Sequence, residues 1–434
     1  MKALLRPSLP AFLVLAVLLA VLVQGPPGVY GLVVGTILAA KLLVALTYRP
    51  YRAADLPGDT AGLRVTAVVP IYNEDPGTLE LALRALAGQT RPPQAVRVVD
   101  DASADPAGAA TARALAAEFA ARGIDYRVLV QPRNAGKRAA MGRAFAGTPD
   151  TDVYLCVDSD TVLEPDAVGE LLVPFADPRV TASTGLVLPS NRGRNLLTCL
   201  QELRYAASFL VERAAYTRAG AVLCCSGALS MYRASVIREH GADFLGQRFL
   251  GRCATFGDDR RLTNYALLDG RAVFQERALA HTAVPERLSH FVRQQVRWNK
   301  SFFRESLWAL VHQPKTRPAF WLTVVELGAW AGFSAALAYL LVLHPLTTPE
   351  TWGTSVTGYL GLVTIMGYLR TVRYLDLRHR GTGPLRRLGL FLLAPLYGVL
   401  HLVVLIPVRF YALATLFRTG WGSRQHGVEV RTAT

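Results

Sequence analysis

The chain has 434 residues, room for roughly two or three domains, with 51% hydrophobic and only 18% charged side chains, a balance that excludes an ordinary soluble nucleotide-binding module. Its 47 basic and 32 acidic residues leave a formal charge of +15, which points to an anionic membrane face or a phosphate-bearing substrate; no nucleic-acid signature is visible, and no nucleic acid is expected as a partner. The odd count of five cysteines, none at paired metal-ligand spacing, argues for free, buried thiols.

Residues 9–24 are apolar after Lys2 and Arg6, and a second apolar run, 29–47, follows across a Gly/Pro turn. A cleaved signal peptide would not be followed at once by such a run, so the pair reads as a helical hairpin. The cations before it and Arg49 and Arg52 after it predict that both ends are cytoplasmic. From 64 to 160 short apolar runs alternate with helical patterns. The expected strands are 64–70, 95–100, 126–131 and 152–160; the expected helices are 78–88, 109–122 and one after 138. This alternation predicts a parallel sheet with crossover helices, binding its ligand beyond the strand ends.

Polar residues gather at those ends. Asp100 and Asp101 close one strand, and Asp158 and Asp160 close another. A D-x-D pair can hold Mg2+ or Mn2+ against a diphosphate, although aspartates also serve solvated turns and helix caps. In N-A-G-K-R, Lys137 and Arg138 stand at a predicted helix start; the P-loop pattern is absent, and the motif reads as a phosphate cradle or, taken alone, as a solvated basic turn. Residues 195–218 form a helix, either interfacial or an ordinary domain helix. Ser226 and Gly227 lie in a small-residue stretch that could admit a sugar or be a packed strand-turn.

The stretch 255–304 carries the densest chemistry. Asp258 and Asp259 precede Arg260 and Arg261; Gln294, Gln295, Arg297 and Trp298 lie on a predicted amphipathic helix, 285–311. That pairing offers a carboxylate to take a proton, cations for a diphosphate and an indole for a sugar ring. His281, His290 and His312 have no metal-ligand spacing and read as surface or core histidines. Residues 319–343 and 356–369 form a further apolar pair. The 344–355 loop lacks Lys and Arg and is expected outside, whereas 370–387, with six arginines, is expected inside. The run 388–417 is broken by Pro395, Pro407 and Arg409. It is too short for two spans of about 20 residues each, so it is expected to be partly re-entrant or interfacial.

Together these motifs resemble the membrane-bound processive family 2 glycosyltransferases, over nearly the whole chain. G-D-D-R-R-L-T-N-Y-A-L and Q-Q-V-R-W-N-K-S-F-F-R-E-S are similar to the signatures of bacterial class I hyaluronan synthases. The resemblance implies an α/β GT-A glycosyltransferase domain, a mostly parallel sheet with flanking helices, embedded between transmembrane and interfacial helices. It implies a membrane hairpin at 1–50, a cytoplasmic GT-A domain at 51–283, interfacial helices at 284–316, a transmembrane or re-entrant region at 317–417 and a cytoplasmic tail at 418–434. The location would be the plasma membrane, crossed several times.

The resemblance also assigns residues. Asp100 and Asp101 would contact the uridine, Tyr72 the uracil, and Lys137 and Asp158 the diphosphate side of the donor. Asp158 and Asp160 would hold Mg2+ or Mn2+, with Asp160 the direct ligand. Asp259 would be the base and Asp258 its catalytic neighbour. Gln294, Arg297 and Trp298 match Q-x-x-R-W, which binds diphosphate and acceptor sugar; Ser226 and Gly227, from the small-residue stretch, are expected beside the acceptor. Trp421, Gly422, Ser423 and Arg424 resemble the W-G-T-R loop over the nucleotide, with Ser in place of Thr. The expected reaction is inverting, processive transfer from UDP-GlcNAc and UDP-GlcA into hyaluronan, with export of the growing chain. The alternative is a chitooligosaccharide synthase using UDP-GlcNAc alone. A degenerate scaffold or transporter would lack catalytic acids, and none is missing.

Overall fold

The computed structural model describes residues 6–22, 28–339, 343–348, 352–377 and 383–418. Strands β1 (Val65–Ile71), β2 (Ala95–Asp100), β3 (Asp125–Val130) and β4 (Val153–Cys156) are short apolar runs that pair in parallel, β2 with β1 and β3, and β4 with β1. Every residue of β1, β2 and β4 is buried, as a sheet covered on both faces requires. In register, Ile71 stands opposite Asp100 and Asp100 opposite Val130. The loops that follow these three strands therefore leave from one edge, side by side.

The second half of the sheet adds β5 (Thr161–Leu163), β6 (Val180–Pro189), β7 (Ser230–Arg233) and, after the small β8 (Arg248–Phe249) and β9 (Arg252–Cys253) hairpin, β10 (Arg271–Thr282). The order is β3-β2-β1-β4-β7-β6-β10-β5. β6 and β10 are parallel; β7 is antiparallel to both β4 and β6, and β5 to β10. The sheet is thus mostly parallel, but not uniformly so as the repeated alternation implies. β4 also stops at Cys156, four residues short of the expected end, and 158–160 form a turn. The helix expected at 109–122 is two helices, Ala107–Ala114 and Ala116–Ala121, because the chain bends at Leu115, which drops into the core.

Long helices cover one side of this domain: Ser8–Leu22, Gly28–Thr47, Leu288–His312, Pro318–Ala338 and Trp352–Thr371. The last has 20 residues, against 14 expected: residues 352–355 extend its start and 370–371 its end. Residues 384–414 form a 31-residue helical stretch with a π turn at His401–Leu405; among the described residues it is the helix long and apolar enough to cross a membrane. Buried polar links fix these helices to the sheet domain. The Tyr48 hydroxyl donates to the Phe274 carbonyl at 2.9 Å and accepts from the Glu276 amide at 3.1 Å. Asp376 accepts from the Ser8 hydroxyl at 2.6 Å and its amide at 3.1 Å. Lys41 and Glu326 pair across two of the long helices.

Candidate active site

A cleft of about 1400 Å3 opens at the shared strand-end edge and continues between the long helices. Its floor is set by Asp101. This carboxylate accepts from the Gln131 side chain at 2.7 Å and from the amides of Ala135 and Gly136 at 2.8 and 2.7 Å. Burial raises its pKa, and the two amides pull in the opposite direction. The loop tied down in this way delivers Lys137 as the first residue of helix Lys137–Ala146. Tyr72 also lines the cleft, whereas Asp100 does not. Asp100 is buried and accepts from the Ser103 amide and hydroxyl at 3.0 and 2.6 Å, closing the turn after β2. Of this adjacent pair, only Asp101 reaches the cleft, because successive residues at a strand end point to opposite sides.

The Lys137 ammonium rests on the Asp158 carboxylate. Burial alone would lower its pKa; Asp158, with Asp258 and Asp259 beyond it, more than offsets that and raises it. Lys137 is a fixed cation. A Cβ at Gly227 would lie 3.3 Å from its Nζ and 3.7 Å from Asp158 Oδ1, so the glycine leaves this spot open to a ligand. Asp160 lies two residues on and accepts from the Thr282 hydroxyl at 3.1 Å. Two carboxylates on one turn are oxygen ligands of the kind a divalent cation such as Mg2+ or Mn2+ takes; among the described residues no group of three His, Cys, Asp or Glu is gathered. They do not suit a closed zinc site.

Asp258 and Asp259 open helix Asp258–Asp269 behind Gly257, whose φ of +91° makes the tight entry. Asp258 is buried, 2.7 Å from the Arg138 guanidinium. Burial raises its pKa, with Arg138 and Lys137 opposing. Arg138 also donates to the Ala254 carbonyl at 2.7 Å. Its guanidinium is therefore committed to the turn before the aspartates and not to a phosphate cradle, which corrects the sequence expectation. Asp259 keeps more exposure. Its Oδ1 accepts from the Arg260 amide at 2.8 Å and its Oδ2 lies 3.6 Å from the Cys224 thiol. Burial, then the Asp259 charge, push that thiol up to about 11. Cys224 was expected to be a bland core residue, and nothing in its sequence neighbourhood marks it.

Helix Leu288–His312 brings Gln294, Arg297 and Trp298 to the cleft. The Trp298 indole is 39% exposed, with the Arg204 guanidinium 5.3 Å from its ring centre and Tyr205 6.2 Å away. An indole held open in this way offers a face to a sugar. Arg204 and Tyr205 come from helix Leu196–Ala207, which runs into a π turn, Ser208–Arg213, whose residues also line the cleft. Ser226 and Gly227 face the same space. Farther in, between the long helices, the lining includes Arg370, His401 and Arg409. Trp421 and Arg424, with Gly422 and Ser423, lie outside the described residues. The five cysteines are all unbridged.

Residues 62–301 match the family described as glycosyltransferase like family 2. Over 407 residues the chain is 39% identical to a hyaluronan synthase of Streptococcus pyogenes serotype M3, covering 92% of this chain and 91% of the relative. It is 33% identical over 394 residues to an N-acetylglucosaminyltransferase of Rhizobium meliloti, covering 89% and 86%. Among solved structures, a mannosyltransferase from Pyrobaculum calidifontis in complex with GDP-Man and Mn2+ superposes with a TM-score of 0.58 at 18% identity, over 83% of this chain and 98% of that one. This last likeness is one of fold.

Proposed function

Because the chain belongs to the family 2 glycosyltransferases, as a hexosyltransferase of GT-A-like fold, we propose that it polymerises UDP-GlcNAc and UDP-GlcA into hyaluronan and passes the chain across the plasma membrane. The observation that carries this beyond the family is the lining of the cleft. Past Trp298 it runs by Arg204, Arg370 and Arg409. The acid on this stretch, Glu326, is already paired with Lys41, so the cations outnumber it; a uronate in every second sugar supplies the further negative charge that a neutral GlcNAc polymer lacks.

Asp259 takes the proton of the acceptor hydroxyl; the freed oxygen attacks the anomeric carbon as its bond to UDP breaks, with inversion. Lys137, Arg297 and Gln294 face the diphosphate and stabilise its growing charge. Trp298 stacks on the terminal sugar beside Ser226, and Gly227 keeps open the spot next to Lys137 where acceptor and donor meet. Tyr72 and Asp101 line the nucleotide side, with Asp100 bracing the turn beneath. Mg2+ or Mn2+ on Asp158 and Asp160 would add Lewis-acid charge at the leaving group. Trp421 and Arg424 would complete the donor site.

The chain would enter the bilayer as a hairpin, 1–50, carry its GT-A domain, 51–283, and interfacial helix region, 284–316, on the cytoplasmic face, and return to the bilayer at 317–417 before the tail, 418–434. A straight 31-residue helix would be roughly 45 Å long and would separate its ends across a membrane. Here Arg386 meets Glu202 at 3.1 Å near one end, and Arg252 donates to the Phe417 carbonyl at 3.4 Å near the other. Both ends thus touch the catalytic domain, which supports a re-entrant or interfacial course.

The test is synthesis by purified protein in lipid with Mg2+ or Mn2+, given each donor alone and then both. A hyaluronidase-sensitive polymer that needs both donors is expected. A chitinase-sensitive product from UDP-GlcNAc alone would replace this reading with the chitooligosaccharide one.

A further inference from the structure

Ser301, Glu305 and Trp308 follow one another at steps of four and three along helix Leu288–His312, and so share one face of it. Each meets a residue of the turn and helix that carry Asp259. A Cβ on Gly257 would lie 2.7 Å from the Ser301 hydroxyl. Arg261 donates through Nε to Glu305 Oε2 at 2.6 Å and through Nη2 to Oε1 at 3.4 Å. The same guanidinium lies 4.4 Å from the Trp308 ring centre, and Tyr265 stands edge-on to that ring at 5.5 Å. Asn264 donates to the Glu305 carbonyl at 3.1 Å, and its own carbonyl accepts from the Gln313 side chain at 2.8 Å.

Followed toward the start of the helix, the same stripe steps back by three and four, from Ser301 to Trp298 and Gln294, both of which line the cleft. One face of one helix therefore holds the acceptor indole at one end and the helix of the base at the other. A slip of one residue would turn that face by about 100° and carry the indole off the cleft. The contact that opposes such a turn is buried: the Arg261 and Glu305 side chains are 5% and 3% exposed. Gln247, which also lines the cleft, donates to Glu305 Oε1 at 2.5 Å, so both carboxylate oxygens are engaged. A buried ion pair gains little stability over apolar side chains of the same volume. What its fork adds is one geometry, and hence one register between the two helices.

We propose that Arg261 and Glu305 are positioning residues: their pair fixes the rotation of helix Leu288–His312 against helix Asp258–Asp269, so that the sugar on Trp298 presents its hydroxyl to Asp259 in place of water. This role rests on the reading of Asp259 as the base and Trp298 as the acceptor platform. With the register relaxed, water enters the acceptor's place. Its oxygen bonds to the anomeric carbon, the bond to UDP breaks and its proton passes to Asp259, giving free sugar and UDP.

The test uses the full-length chain in lipid with UDP-GlcNAc, UDP-GlcA and Mg2+ or Mn2+, and compares UDP released with sugar incorporated. Glu305→Gln keeps the shape of the side chain and loses the ionic fork. It is expected to raise UDP released per sugar incorporated at least about fivefold and to lower kcat for transfer about tenfold, with UDP affinity within about twofold of wild type. Partial unfolding would lower transfer, hydrolysis and UDP binding together and leave the ratio unmoved, so a wild-type ratio in Glu305→Gln overturns the proposal. Should that variant fail to fold, Arg261→Lys, which keeps the charge and loses the fork, is read in the same way, and an unchanged ratio there overturns it equally. Asp259→Asn separates the two failures. Near-wild-type polymerisation by it sinks the reading of the base; an inactive Asp259→Asn beside an unchanged ratio in Glu305→Gln sinks the positioning role alone.

Discussion

Asp258 Oδ1 stands 2.7 Å from the Arg138 guanidinium, and that pair divides two aspartates adjacent in sequence into different work. Asp258 is turned into a buried ion pair that braces the start of its helix. Asp259, one position on, faces the cleft. Asp259→Asn is expected to cut transfer by about 10²- to 10⁴-fold, the span of a general base, with UDP affinity unchanged in a binding titration. Near-wild-type polymerisation by this variant would remove Asp259 from the mechanism.

The same pair carries a stability expectation. Arg138→Met leaves a buried carboxylate without its partner, which costs about 3–5 kcal/mol in pairs of this kind. Asp258→Asn in that background should restore much of the loss, because it removes the charge that had been stranded. Unfolding midpoints of the two single variants and the double variant decide this; independent, additive losses would mean the contact is incidental.

Gly227→Ala tests the open spot beside Lys137. The added methyl would lie 3.3 Å from Lys137 Nζ, tighter than ordinary contact, and must displace the ammonium or the incoming donor. The expected result is a rise in donor KM of about tenfold, with the melting temperature held within a few degrees. An unchanged KM would show that the donor does not use this corner.

Asp101 sets a pH dependence with two signs. Burial holds its pKa above the ordinary 3.8. As pH falls through the raised value, the folded state takes up this proton before the unfolded chain does, so this group adds stability down to the ordinary value. The protonated carboxyl accepts less well from the Ala135 and Gly136 amides, and the donor loop loosens. UDP affinity should therefore fall on acidification while this contribution to stability rises. Asp101→Asn should flatten the affinity profile; a profile with the same slope in the variant would assign the effect to another group.

Thiol labelling separates the cysteines. Cys253 is exposed, whereas Cys224 is held as a thiol, its pKa pushed up to about 11. At pH 7.5, a chosen working value within the neutral range where a thiolate is the reactive form, an alkylating reagent is expected to label Cys253 at least about tenfold faster than Cys224. Asp259→Asn removes the neighbouring charge and should speed Cys224. Equal rates for both cysteines in the wild-type chain would contradict the contact between Cys224 and Asp259.

The elements with a strong local signature are legible in the sequence. β2 begins and ends where its apolar run does, at Ala95 and Asp100. The alternation of strands and helices implied the mostly parallel sheet, and the motif set 258–261 and 294–298 implied the family, because such patterns are local in sequence and need no partner to be recognised. The antiparallel β7 and the distant β10 escaped, since their pairing is decided by contacts far apart in the chain.

Within the site the division is sharper. Residue types alone narrowed the chemistry to carboxylates, cations and an indole gathered for a nucleotide sugar. Which of two neighbours does what could not be read from type, because Asp100 and Asp101, or Lys137 and Arg138, differ only in the side to which the backbone turns them. Tertiary structure made those choices: it aimed Asp101 at the loop amides and buried Arg138 against Asp258. It also brought Cys224 to Asp259 and Arg304 to the Leu416 carbonyl across 35 and 112 positions of sequence. Short-range pattern encodes what a segment can become; burial and charge pairing between distant segments decide which of its groups remain free to act.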